Sequence, residues 1–324
     1  MDCPIPKRLL SRTLPDRFIL WLLATVAVGT LLPVHGLAAE AVDWLTLAAI
    51  FTLFFLHGAR LPREALLGGL TDWRLHLAIL GMTFLIFPLC GVALSHLFPS
   101  LLSPMLWTGL LFLCALPSTV QSSIAYTSLA GGNVAGAVAA AAFSNLIGVF
   151  LTPALVGLML ETQGAQISFS GIGKIVLLLF LPFVLGHGLR RWIFPVIKDR
   201  PTLTTIVDKG TILLAVYGAF SAAAVERLWT RIPPGQIGIV FLFCGLLLAA
   251  VLAAAWSVGR AFPRESRAAI LFCGSVKSLA SGAPMARILF PGAAAGIVLL
   301  PIMLFHAMQL IVCAWIAARM ARRL

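Results

Sequence analysis

Residues 105–130, MLWTGLLFLCALPSTVQSSIAYTSLA, begin as an unbroken apolar run and change character at Pro117. Up to the proline the segment reads as the first part of a membrane-spanning helix. Beyond it, Ser118, Thr119, Gln121, Ser122 and Ser123 follow in quick succession. Proline lacks an N–H and clashes with the turn before it, so the helix must bend or break there. Irregular backbone at membrane depth survives only when it is buried in protein or lines a cavity. A second such stretch is 272–285, FCGSVKSLASGAPM. There Gly274 weakens the helix, and Ser275 and Ser278 can satisfy freed backbone groups. One interruption alone is an ordinary kink of a membrane helix. Two, five spans apart, read as a crossed and partly unwound pair.

Working outward, 60% of the 324 residues are hydrophobic and 10% are charged. The mean hydropathy is +1.04. A soluble chain of this length cannot hide that much apolar surface, because its exterior must be polar. About 20 apolar residues cross a bilayer as a helix. Ten such spans are expected, near 18–34, 43–58, 74–96, 105–130, 133–159, 171–189, 207–225, 236–259, 266–288 and 294–318. The loops between them are short, and strand-type alternation is absent. The chain is therefore expected to be an all-α polytopic membrane protein, a single transmembrane domain over 1–324.

The net charge of +12 would suit a nucleic-acid partner, but the basic residues sit in short loops between apolar runs. With the N-terminus inside, 18 of the 23 Lys and Arg residues fall on cytoplasmic segments, among them Arg12, Arg60, Arg191, Arg264 and Arg319. Four, Lys174, Arg227, Arg231 and Arg287, fall outside. That asymmetry predicts both termini in the cytoplasm and an even number of spans. The basic start before the first span resembles a signal peptide, but the run is long and many spans follow, so it reads as a retained helix. An inner or plasma membrane is the expected location, with lipid as the surrounding partner and no nucleic acid. Oligomeric state stays open.

Ten spans divide into two sets of five, approximately 18–159 and 171–318. An odd number per half inverts the second half relative to the first. Inverted repeats place their site at the midplane, where helices are discontinuous. Candidate site residues follow: Gln121, Ser122 and Ser123 in span four, Ser144 and Asn145 in span five, Ser275, Lys277 and Ser278 in span nine. His306 and Gln309 in span ten lie three apart, on one helix face.

Lys277 carries the most information, because a charge at the bilayer centre costs several kcal/mol. The eleven acidic residues all fall at span ends or in loops. Lys277 is then neutral, or held by oxygens of Ser122, Ser123, Asn145 or broken-helix carbonyls, or partnered by an anionic substrate. It, or His306, is also a candidate carrier of a coupling proton. Five of the six cysteines, Cys90, Cys114, Cys244, Cys273 and Cys313, lie inside apolar runs, with no metal-type spacing. They read as small core residues, as does Cys3 near the N-terminus.

With these residues in place the chain resembles the sodium/bile-acid symporter superfamily, in its divergent SBF-like branch. The resemblance rests on Phe54-Phe55-x-x-Gly58-x-x-Leu61, Pro117-x-x-x-x-Ser122-Ser123, Gly132-Asn133 leading to Ser144-Asn145 and Thr152-Pro153, Lys277-Ser278-Leu279 with Gly282-x-Pro284-Met285, and Pro301-x-x-x-Phe305-His306-x-x-Gln309. It implies a panel and a core domain, with helices four and nine crossing at the site. It also implies sodium at that crossing, near Ser122, Ser123 and Asn145. Two helix-nine positions depart from the pattern: Phe272 stands at the Glu position and Val276 at the Gln position. Lys277 stands at a neighbouring Asn position.

The expectation is a secondary transporter of a small, bile-acid-like organic anion, working by alternating access, with proton or sodium coupling open and no other cofactor or metal. Sodium-coupled bile-acid symport and a non-transporting regulatory protein are the alternatives. A Ser/Lys hydrolase built on Ser275 or Ser278 with Lys277 is a third. The usual hydrolase motifs are missing, so the chain is expected not to be an enzyme.

Overall fold

Long apolar runs with no water to bind their backbone close their hydrogen bonds internally, and the chain does so as helices. The computed structural model describes residues 17–60, 72–161, 169–290 and 292–322. The helices are α1 (Arg17–Leu31), α2 (Leu37–Arg60), α3 (Trp73–Leu97), α4 (Pro104–Ala115), α5 (Gln121–Leu129), α6 (Val134–Glu161) and α7 (Phe169–Gly188). They continue as α8 (Arg190–Lys198), α9 (Pro201–Val225), α10 (Pro234–Gly259), α11 (Arg264–Ser275), α12 (Leu279–Leu289) and α13 (Ala294–Ala321). Cys3, Lys7, Arg8, Arg12 and Arg63 lie outside the described residues.

Among the described residues, seven segments are long and apolar enough to cross a membrane, counting α11 and α12 as one, and three shorter apolar helices accompany them. The expected fourth span is α4 plus α5, and the ninth is α11 plus α12. The others are single helices within a few residues of expectation. One difference matters. The seventh span starts at Pro201 rather than 207, so Asp208 sits two turns inside α9 instead of at its end. It is paired there with Arg60 of α2, at 3.0 Å.

Local chemistry explains the breaks. Pro117 has no N–H to return to the Leu113 carbonyl, and Leu116 takes that carbonyl in a tighter bond of 3.2 Å. Leu116 itself is extended (ψ 152°), as a residue before proline prefers. The second break is at Val276 (ψ 152°), and Ser278 then caps α12 by accepting the Ser281 N–H at 3.1 Å. Gly131 ends α5 at φ +64°, with Gly132 N–H on the Thr127 carbonyl and Gly131 N–H on that of Ser128. That is the double bond of a left-handed helix cap, which glycine adopts without strain.

Two groups of helices can be told apart, joined where α9 packs on α12 and α13 and where α6 packs on α7. In one, α2 lies along α7, α1 along α9, and α2 along α9. At the α2–α7 contact a Cβ on Gly58 would run into the Phe183 carbonyl, and one on Gly186 into that of Phe55. In the other group, α3, α5, α6 and α10 surround α11, which is buried almost throughout, and α4 and α13 pack on each other beside them. Large apolar side chains such as Trp21, Leu77, Leu97, Phe241, Leu242 and Ile311 point outward, as a lipid-facing exterior requires.

Candidate functional site

The two breaks meet. Ser278 donates its N–H to the Pro117 carbonyl at 2.9 Å, joining the second break to the first. Each break is also held by an amide side chain from the next span. Asn145 of α6 donates to the Ser118 carbonyl at 2.8 Å and accepts from Ser281 Oγ at 2.7 Å. Gln309 of α13 accepts the Lys277 N–H at 2.7 Å and donates to the Lys277 carbonyl at 2.8 Å. Gln309 is fully buried, and its Nε2 also lies 2.9 Å from His306 Nδ1. Ser144 Oγ accepts the Ser118 N–H at 3.1 Å, and Thr152 Oγ1 donates to the Ala115 carbonyl at 2.8 Å. Backbone groups that the breaks would strand at membrane depth are thus taken up one by one, as their desolvation cost demands.

Lys277 completes the set. It is 1% exposed. Its Nζ donates to the carbonyls of Thr83 at 2.7 Å, Cys114 at 2.7 Å and Leu116 at 2.6 Å. The Phe87 ring centre lies 4.1 Å from the same nitrogen, a cation–π distance. The carbonyls are available for local reasons. Cys114 and Leu116 end α4, and the Ser118 N–H that would return to Cys114 goes to Ser144 instead. Thr83 lies in a π-helical turn, Met82–Ile86, where the Phe87 N–H reaches back to Met82. The next residue, Pro88, has no N–H to offer. Thr83 is therefore passed over by its own helix.

The expected residues fall into three sets. Ser144, Asn145, Lys277, Ser278, His306 and Gln309 form the network just described. Ser122 and Ser123 stand in the first turn of α5 and bond locally, Ser122 Oγ to Thr119 Oγ1 at 2.5 Å and Ser123 Oγ to the Thr119 carbonyl. Ser275 Oγ donates to the Leu271 carbonyl at 2.5 Å. Gln121 is exposed at the start of α5. Of the three sequence options for Lys277, broken-helix carbonyls are the observed partners. Sequence reasoning missed Thr83 and the Cys114 and Leu116 carbonyls, and it did not assign Ser118, Thr119, Thr152 and Ser281 to the site although all four stand in stretches it singled out. Pro88, five residues after Thr83, was the available signal.

Two chemical readings can be tested on this geometry. A Ser–Lys dyad needs the amine on a serine hydroxyl, whereas Lys277 Nζ faces three carbonyls and Ser275 and Ser278 bond elsewhere. A sodium ion needs several oxygen lone pairs converging on one point. The carbonyls that converge at the crossing already hold the Lys277 amine, and a free cation beside an ammonium would be repelled. Among the described residues no cluster of three His, Cys, Asp or Glu side chains could hold a metal. These residues do not fit a sodium site.

The two half-helices beyond the breaks face different surroundings. α12 packs along α9, touches α7, and ties Arg287 to Asp43 in the second turn of α2. α5 packs on α6, α11 and α13 and leaves Val120, Gln121, Ala125 and Ser128 exposed.

The sequence profile of the SBF-like CPA transporter family matches residues 16–322. "Uncharacterized protein PA2026" of Pseudomonas aeruginosa is 49% identical over 96% of this chain and 95% of its own length. "Putative symporter YfeH" of Escherichia coli K12 is 45% identical, over 95% and 93%. "Sodium/bile acid cotransporter 7" of Rattus norvegicus is 26% identical, over 94% and 92%.

Proposed function

The chain belongs to the SBF-like CPA transporter family, and on that premise we propose that it carries a small organic anion across the membrane by alternating access. The observation that carries this reading is the difference between α5 and α12. One half-helix is packed against the α1–α2–α7–α9 group and the other is open on that side. Its N-terminal turn, exposed at Gln121 and half-exposed at Ser122, lies at the meeting of the breaks. A helix N-terminus carries partial positive charge and favours an anion. Movement of one group against the other would close the α5 side and open the α12 side. The inverted halves belong to the same reading, since α2 on α7 and α1 on α9 are the pairings that exchanging the halves would interchange. The relatives named as symporters support a small-molecule cargo. We place the protein in an inner or plasma membrane with both termini in the cytoplasm, from the basic loops.

The test is counterflow in liposomes with the purified protein, using a labelled bile acid and smaller labelled carboxylates as probes. Saturable uptake driven by unlabelled anion inside supports the reading. Flux of neutral or cationic solutes alone overturns the anion. Absence of all flux, with a stable protein partner on purification, replaces transport by regulation.

A further inference from the structure

We propose that Lys277 is a built-in cation, its ammonium group standing where the freed carbonyls of the break converge, so that this transporter needs no free sodium ion at the crossing. The proposal rests on the transport reading above for its meaning, and on geometry for its content. Three carbonyl oxygens lie 2.6–2.7 Å from Nζ. A carbonyl can only accept, so three acceptors call for three N–H donors. An ammonium has three and a neutral amine has two. The Phe87 ring at 4.1 Å adds a negative face. Two of the carbonyls end α4, where the helix dipole is negative.

The carbonyls come from two elements, α3 and α4, and the amine from a third, the α11–α12 break. The local backbone gives them no donor: Pro88 has no N–H for Thr83, Ser144 takes the Ser118 N–H that would return to Cys114, and Leu116 is extended and so out of the helical ladder. A cation of some kind is what this arrangement requires. The chain supplies its own, on a residue whose backbone is pinned on both sides by Gln309. A second, free cation beside it would meet repulsion in a medium of low dielectric.

The test is thermal stability of the purified full chain, in sodium, potassium or choline chloride at equal ionic strength. No substrate enters, so the outcome is separate from any failure of anion transport. The wild-type protein is expected to melt within about 1 °C in sodium and potassium, because a ligand that binds only the folded state would raise the midpoint. Lys277→Ala is expected to melt about 5 °C or more lower in choline, and to recover part of that loss saturably in sodium, lithium or ammonium. A saturable sodium-specific rise in the wild type overturns the proposal. So does a folded Lys277→Ala protein that is no less stable in choline, or whose loss no small cation restores. If the variant cannot be purified, the wild-type comparison of sodium with potassium decides alone.

Discussion

The first break is rich in acceptors and the second supplies a donor. At the first, Pro117 removes an N–H and leaves the carbonyls of Cys114, Ala115, Leu116 and Ser118 to find partners outside their own helix. At the second, the backbone of Lys277 is satisfied locally by one side chain, and its ammonium group is left over. The surplus of one fits the deficit of the other, and the Ser278–Pro117 bond holds them in register. Neither break is complete alone. Two interrupted helices at membrane depth would each be costly, whereas the pair is hydrogen-bonded at nearly every point named above.

Replacing the ammonium breaks this complementarity most directly. Lys277→Met keeps much of the volume but strands three carbonyls, and a loss of about 3 kcal/mol or more is expected. Anion flux in liposomes should fall to background. A melting point and flux equal to wild type would remove Lys277 from both roles. Next, Gln309→Leu leaves the N–H and the carbonyl of Lys277 unpaired, for about 2–3 kcal/mol. Gln309→Glu keeps the acceptor and loses only the donor, so it should be the milder of the two by denaturant titration. The opposite ranking would show that the amide does not hold the break as described. Asn145→Leu takes a donor from Ser118 and an acceptor from Ser281, and about 1–2 kcal/mol is expected. A double-mutant cycle of Asn145→Leu with Gln309→Leu sharpens the comparison, because linked breaks require the two effects to be non-additive. Strict additivity would make the breaks independent. Smallest is Thr152→Val, which removes a single interhelical bond to Ala115, worth about 0.5–1 kcal/mol in membrane proteins. A loss several times larger would mean that Thr152 supports the first break by more than that bond.

The spans were legible because apolar runs of helical length have few other uses, and both breaks were legible because proline and glycine announce themselves. Lys277, Asn145 and Gln309 stood out as polar groups where polarity is costly. Their partners did not, since a carbonyl has the same chemistry at every residue and only its lack of a backbone donor marks it. That lack at Thr83 follows from a π-turn and a proline acting together, and the sequence shows only the proline. Ser122 and Ser123, read from the sequence as candidates to face an ion, also bond to Thr119, two residues before α5 begins, a habit of serine near helix starts. Asp208 was placed at a span end because the polar stretch Thr202–Asp208 does not look like membrane helix, yet it continues α9 in contact with α2.

The π-turn in α3 also settles a matter of angular phase. Leu75, Ile79, Thr83, Phe87, Gly91 and Ser95 are all buried, at a strict spacing of four. With 3.6 residues per turn, each step of four overshoots a full turn by about 40°. From Leu75 to Ser95 a regular helix would swing that stripe through about 200°, half-way round, and carry its far end to the lipid. One extra residue in a turn takes back about 100°. The stripe then stays on one side of α3, narrow enough to serve as a single face. Deleting one residue from 84–86 would restore a regular helix and keep Gly91 and Ser95 in phase. It would still leave the Thr83 carbonyl without a backbone donor, because Pro88 would then stand four residues after it.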